Sequence, residues 1–408
     1  MSVSELLHQP GFAHLLLYRI FVMLSYQIVA VTVGWHIYEI THDPFSLGLI
    51  GLSEVVPYIC IAPFAGYLVD HLPRRRLGLL AGLGLVITAL LLTMIAVGAL
   101  PFSGIWAIYL TIMLTGVARS FLTPVYNALF ALILPREQFA RAASLGSVVF
   151  QSGIVIGPAL GGFLIAFSGK ATAYAVAAIM GLLAMLMMRQ LNINEPPPPA
   201  THAPIFRSIA EGARFVLTTP IMYGAMALDM FSVLLGGVVA MLPAFIQDGI
   251  LDGGAQGLGI LRAAPALGTI CVGLWLARHP LQQHAGRILL LAVAGFGLCV
   301  IGFGLSRSFW LSSIILLAYG MCDGISVVVR STILQLATPD AMRGRVSSIN
   351  GIFISSSNEL GAFYAGTMAG LLGLIPAVVI GGCAVFGVTG VIALKVPPLR
   401  RLDLRTLQ

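Results

Sequence analysis

Residues 74–99 read Arg74-Arg75-Arg76-Leu-Gly-Leu-Leu-Ala-Gly-Leu-Gly-Leu-Val-Ile-Thr-Ala-Leu-Leu-Leu-Thr-Met-Ile-Ala-Val-Gly-Ala99. Three arginines stop abruptly, and 23 residues without a single charge follow. An α-helix rises about 1.5 Å per residue and the hydrocarbon core of a bilayer is about 30 Å thick, so roughly 20 apolar residues cross it. The stretch reads as a membrane span whose arginines are held back on the side where they begin.

The rest of the chain extends this reading. Its 408 residues are 58% hydrophobic and 9% charged, with a mean hydropathy of +0.98. Soluble domains carry about 25% charged residues, so this chain cannot cover the surface of a water-soluble globule. That excludes an ordinary cytosolic enzyme, a nucleic-acid module and a disordered tail. Cys60, Cys271, Cys299, Cys322 and Cys383 are widely spaced in apolar stretches and read as small buried hydrophobes, with no disulfide framework and no metal site.

Twelve such spans are predicted, at roughly 16–40, 45–69, 77–99, 104–130, 142–167, 171–190, 220–246, 257–277, 287–305, 309–333, 346–370 and 374–395. With the N-terminus inside, 18 of the 22 Lys and Arg residues fall at cytoplasmic ends, Arg19 and Arg330 among them, and only Lys170 and Arg307 fall outside. Topology therefore accounts for the net charge of +7 without nucleic acid. Both termini are expected in the cytoplasm.

The expected organisation is an all-α membrane protein. A six-helix bundle over 1–190 and a second over 220–408 are joined by a cytoplasmic linker at 191–219. The linker opens with Pro196 to Pro199, which favour an extended spacer. Ile205, Phe206, Ile209, Ala213, Phe215 and Val216 then recur at near-helical spacing, which predicts an amphipathic helix at the inner membrane surface. The two halves repeat. An offset of 204 carries Gly116, Arg141, Gly157 and Gly162 onto Gly320, Arg345, Gly361 and Gly366, and an offset of 208 carries Gly51 and Pro57 onto Gly259 and Pro265. Two similar bundles suit alternating access, with a site between them near the midplane.

The same alignment sets Arg119 against Asp323, Glu54 against Arg262, and Asp70 against Arg278. An intramembrane charge costs at least about 2.5–3.5 kcal/mol on insertion scales, so each needs a partner. Arg119, Asp229 and Asp323 are the expected central polar site for substrate or protons, and Glu54 with Arg262 an outer gate pair. Static salt bridges that only orient helices are the competing explanation. Ser355-Ser356-Ser357-Asn358-Glu359 lies inside the eleventh span, and Glu359 is a further candidate proton carrier. Tyr26 and Tyr126 could stack on a ligand.

Two motifs carry a resemblance. Gly66, Asp70, Arg74 and Arg75 fit the G-x-x-x-D-R-x-G-R-R loop of the major facilitator superfamily, with His71 and Pro73 replacing its Arg and Gly. Gly153-x-x-x-Gly157-Pro158-x-x-Gly161-Gly162 matches the antiporter signature of that superfamily. Thr338 to Val346, Leu228-Asp229, Gly236-Gly237 and Leu242-Pro243 resemble its bacterial enterobactin-exporter-like, drug-efflux branch. The resemblance implies the major facilitator fold and export of a drug, siderophore or other small amphipathic molecule from the inner membrane of a bacterium, coupled to proton entry. It also implies a cytoplasmic gate in which Asp70 faces the helix start near residue 346, with Arg278, Arg343 and Arg345 at hand. No cofactor beyond the proton gradient is expected. The expected partners are a small-molecule substrate, protons and the bilayer, with a monomeric chain.

Other signals are weak. Ser168-Gly169-Lys170-Ala171-Thr172 lacks the glycine and the hydroxyl residue a phosphate loop needs. His36 and Glu39 have metal-capable spacing, but two ligands do not make a site. An importer or uniporter of a sugar or metabolite is the alternative in the same fold. A lipid-handling protein or membrane enzyme is less favoured, since no catalytic group is present.

Overall fold

A computed structural model describes residues 9, 11–100, 104–135, 138–193, 195, 205–279, 283–339 and 342–403. Pro196 to Pro199 and the side chains of the gate candidates Asp70 and Arg343 lie outside the described residues, as do those of Phe206 and Ile209.

Among the described residues all regular structure is helical. Helices α1 (Phe12–Thr41), α2 (Pro44–His71), α3 (Arg74–Ala96) and α4 (Ile105–Ile133) follow through short connections. The next helix, Phe139–Gln190, turns at Gly169, where φ is 82° and ψ 167°, a conformation open essentially to glycine alone. It therefore forms two spans, α5 (139–168) and α6 (170–190). After the linker helix α7 (Ile205–Thr218) come α8 (Pro220–Leu235), α9 (Leu242–Gln247), α10 (Gly254–Arg278), α11 (Ala285–Leu305), α12 (Phe309–Ala337), α13 (Arg343–Leu372), α14 (Leu374–Lys395) and the short α15 (Pro397–Arg400).

Ten stretches of the described residues are long and apolar enough to cross a membrane, with Arg141–Gln190 and Pro220–Gln247 each taken once. The turn at Gly169 makes an eleventh, and α13, whose run from Ser355 to Glu359 lowers its hydropathy, completes the twelve transmembrane helices. The side chains they turn outward agree. Leu80, Leu110, Leu291, Leu298 and Ile314 are exposed, a surface that would aggregate in water and is the lipid face in a bilayer. Trp106 and Trp310, each 71% exposed at the start of α4 and α12, sit where an interfacial aromatic belt is placed.

The described residues cluster into two compact units. One runs to Ile40 and from Ser53 to the linker; the other contains Thr41–Leu52 and everything from α7 onward. Within the second unit, Gly48 and Gly51 bring the first turns of α2 against the backbone of Phe363 and Glu359 on α13.

Both units are built by the same device, small residues that let helix backbones touch. In the first, a Cβ on Gly116 of α4 would overlap the Glu54 carbonyl oxygen of α2 beside Pro57. In the second, a Cβ on Gly320 of α12 would overlap the Pro265 carbonyl of α10. The stripe Gly153, Gly157 and Gly161 seats α5 on Met23, Gln27 and Ile28 of α1, with Pro158 and Gly162 also buried. Its counterpart Gly361 seats α13 on Val233 and Leu234 of α8. The sequence repeat is thus a repeat of contacts.

One expectation changes. The span predicted at 220–246 is interrupted after Leu235: Gly236 and Gly237 lead into a 3-10 turn (Val238–Met241) before α9. Gly237 lies against the Gly361 carbonyl, leaving no room for a side chain. At its C-terminal end the linker helix α7 packs apolar side chains on protein. Val216, Ala213 and Phe215 pack with Met222, Met226, Leu334, Val346 and Ile349. Glu211 clamps it to Arg345 of α13 at 2.7 Å.

Candidate functional site

In the second unit three helices converge on one small cavity. It is lined by Asp229, Ser232 and Val233 of α8, Val293 and Phe296 of α11, and Cys322, Asp323 and Ser326 of α12. The space suits about one water molecule. Helical periodicity puts Asp229 with Ser232 and Val233 on one face of α8, and Asp323 with Ser326 and Arg330 on one face of α12. Arg330 closes the ladder by an ion pair to Asp229 Oδ1. Arg330 is 3% exposed and Asp229 8%, so the pair is held out of solvent. Phe296 and Tyr319 rings, 4.3 Å apart, pack at its flank.

Sequence reasoning missed Arg330 by assigning it to a cytoplasmic end. It lies seven residues inside the end of α12, roughly 10 Å at 1.5 Å per residue. The legible signal was its spacing to Asp323, two helical turns apart on one face.

In the first unit Glu54, 5% exposed, is the hub. Its Oε1 accepts from Arg119 Nη1 at 2.6 Å and from the Tyr26 hydroxyl at 2.9 Å. The Arg119 guanidinium stands 5.0 Å from the Tyr26 ring centre and 5.6 Å from that of Tyr58. Gly116, one turn before Arg119, lets α4 reach this depth against α2. Glu54 and Arg119, assigned above to different groups, are therefore one cluster. Arg262 is half-buried on α10 of the other unit.

Of the gate candidates, Arg74 and Arg75 have their backbone N–H groups held by one carboxylate. Glu195 accepts from Arg74 N at 2.6 Å and from Arg75 N at 3.0 Å, placing an acid on the N-terminus of α3. The Arg75 guanidinium donates to the Arg189 carbonyl. Glu195 was not anticipated, since nothing local marks a linker glutamate as a cap for a helix 120 residues earlier. Arg278 is exposed at the end of α10, Arg345 holds Glu211, and Gly66 meets no atom within 4 Å of an added Cβ. On α13 the Ser357 hydroxyl and Asn358 amide donate back to the carbonyls of Phe353 and Ile354, which satisfies part of that polar run within its own helix. Glu359 is partly buried.

The family model of the Major Facilitator Superfamily matches residues 15–362. The chain belongs to the major facilitator superfamily. Among curated relatives, a protein named enterobactin exporter EntS from Shigella boydii serotype 18 is 28% identical over 406 residues, covering 97% of this chain and 94% of the relative. The protein of the same name from Escherichia coli O1:K1 / APEC matches equally, at 28% identity over 97% of this chain. Among solved structures, a POT family transporter in complex with 5-aminolevulinic acid superposes with a TM-score of 0.75 at 12% identity, covering 95% of this chain and 96% of that one. The nucleoside transporter NupG follows with a TM-score of 0.67 at 14% identity, covering 95% and 99%. This major facilitator protein is a multi-pass membrane transporter of a small molecule and not an enzyme.

Proposed function

We propose that this transporter exports a small amphipathic molecule across the cytoplasmic membrane of a bacterium in exchange for protons, by alternating access. The carrying observation is the cavity that Asp229 and Asp323 share beside a buried arginine. A carboxylate kept from water exchanges charge with its surroundings only by taking or losing a proton. Protonating Asp229 neutralises the partner of Arg330 and leaves a guanidinium whose burial is uncompensated, a state worth about 3–5 kcal/mol against the paired one. That imbalance is relieved when Arg330 finds another anion or when the helices move to hydrate it. Proton and rearrangement are thereby tied together.

The names of the relatives support the direction of transport, and the glycine stripe on α5 supports antiport. Glu54 with Arg119, and Glu359, stand as further sites for substrate charge. Arg74, Arg75, Glu195, Arg278 and Arg345 serve as the cytoplasmic gate. The arginine distribution supports both termini inside, and the chain works as a monomer. The test is proton movement in proteoliposomes holding purified protein. Substrate-triggered proton release should be present in the native chain and absent in Asp229→Asn and Asp323→Asn, with both variants folded. Release that persists in both removes the carboxylates from the mechanism.

A further inference from the structure

The first unit holds a second half-buried arginine that the proton pathway does not use. Arg19 of α1 lies with its Cζ 3.9 Å from the Tyr126 ring centre on α4 and 4.9 Å from that of Phe150 on α5. Among the described residues it has no ion-pair partner, unlike Arg119, Arg330 and Arg345. Tyr126 is more than nine-tenths buried, and its hydroxyl has no hydrogen-bond partner. Gly146 of α5 makes the space: a Cβ there would overlap that hydroxyl and press on Arg19 Nη1. The matching helix of the other unit, α8, carries no basic residue, so the repeated helix packing does not require this charge.

We infer that Arg19, Tyr126, Gly146 and Phe150 form an anion subsite that takes the carboxylate or comparable oxyanion of an aromatic, amphipathic substrate. Rings against the guanidinium hold it by cation–π contact while leaving its N–H edge for bidentate donation to an oxyanion. The orphaned Tyr126 hydroxyl supplies a further donor, and Phe150 an apolar wall for a ring. Arg19 stands seven residues inside the start of α1, roughly 10 Å along it and not at the cytoplasmic end expected from the sequence, and a half-buried guanidinium there without a carboxylate marks a place where a counter-charge arrives with a ligand. The inference rests on the transport reading above and names its substrate class.

The probe is radiolabelled 1-naphthoate bound to the purified full-length transporter, compared with neutral 1-naphthamide and with the cation tetraphenylphosphonium. The native protein should prefer the acid to the amide by at least about tenfold, the scale of one charge-assisted hydrogen-bond pair. Arg19→Gln should abolish that preference without weakening tetraphenylphosphonium, and Arg19→Lys should keep part of it. Tyr126→Phe removes only the hydroxyl. It should weaken naphthoate while leaving the melting temperature in place, which guards against a folding defect. A native protein that does not distinguish acid from amide, or an Arg19→Gln variant that still does, overturns the subsite. A native protein that lacks the preference but keeps proton release dependent on Asp229 and Asp323 overturns the subsite and spares antiport. An Arg19-dependent preference without any proton coupling overturns antiport and supports the subsite.

Discussion

Arg330 and Asp229 show how much a single buried charge depends on its partner. Removing one member of such a pair costs about 3–5 kcal/mol because the other is left charged in an apolar surround, whereas replacing both with apolar residues is often neutral. Arg330→Met is therefore expected to lower the unfolding midpoint in detergent sharply, and the double variant Asp229→Leu/Arg330→Met to recover most of the loss. Transport should stay absent in the double variant, which separates the energetic role of the pair from its chemical one. A double variant that transports normally would reduce the pair to a structural bridge. The acidic members of this cluster were legible in the sequence because a carboxylate inside an apolar span needs a reason. Arg330 was not, because a charge seven residues from a span's end looks like a boundary residue until the packing shows which way it points. Pairing is a tertiary property: nothing near Glu54 in sequence says that Arg119 and Tyr26 reach the same oxygen.

At the scale of the helix, glycine decides what touches. Gly116 and Gly320 occupy equivalent positions, and each meets a carbonyl of the neighbouring helix that cannot retreat without moving that helix. Gly116→Ala and Gly320→Ala should each destabilise by about 1–3 kcal/mol, the usual cost of overpacking, read as a fall in melting temperature. Gly351 meets nothing within 4 Å, and Gly351→Ala there should be neutral or gain up to about 1 kcal/mol of helix propensity. Gly169→Ala should cost about 1–3 kcal/mol for a different reason, the backbone conformation of the turn between α5 and α6. The spans and the paired glycines could be read from hydropathy and offset alone, since each reports on one helix at a time. The interruption at Gly236 and Gly237 could not, because a Gly-Gly pair within an apolar run is compatible with an intact membrane helix. The close approach of the Gly361 carbonyl explains why residue 237 is a glycine. Periodicity marks the linker helix as amphipathic, but it does not say whether lipid or protein receives the apolar face.

At the scale of the whole molecule, the arginine distribution and the proton cycle make separate predictions. Alkaline phosphatase fused after Lys170 should be active, and fused after His279 inactive, as both positions follow from arginines retained inside. Activity at His279 would invert the orientation. Transport tests the central claim, that Asp229 and Asp323 exchange protons against a substrate. The direct measurement is internal pH in proteoliposomes under an imposed gradient, with amphipathic acids, cations and siderophores offered in turn. The account predicts proton release triggered by at least one compound in the native protein and by none in Asp229→Asn or Asp323→Asn. Tracer equilibration with no proton movement, unchanged in both variants, would contradict it.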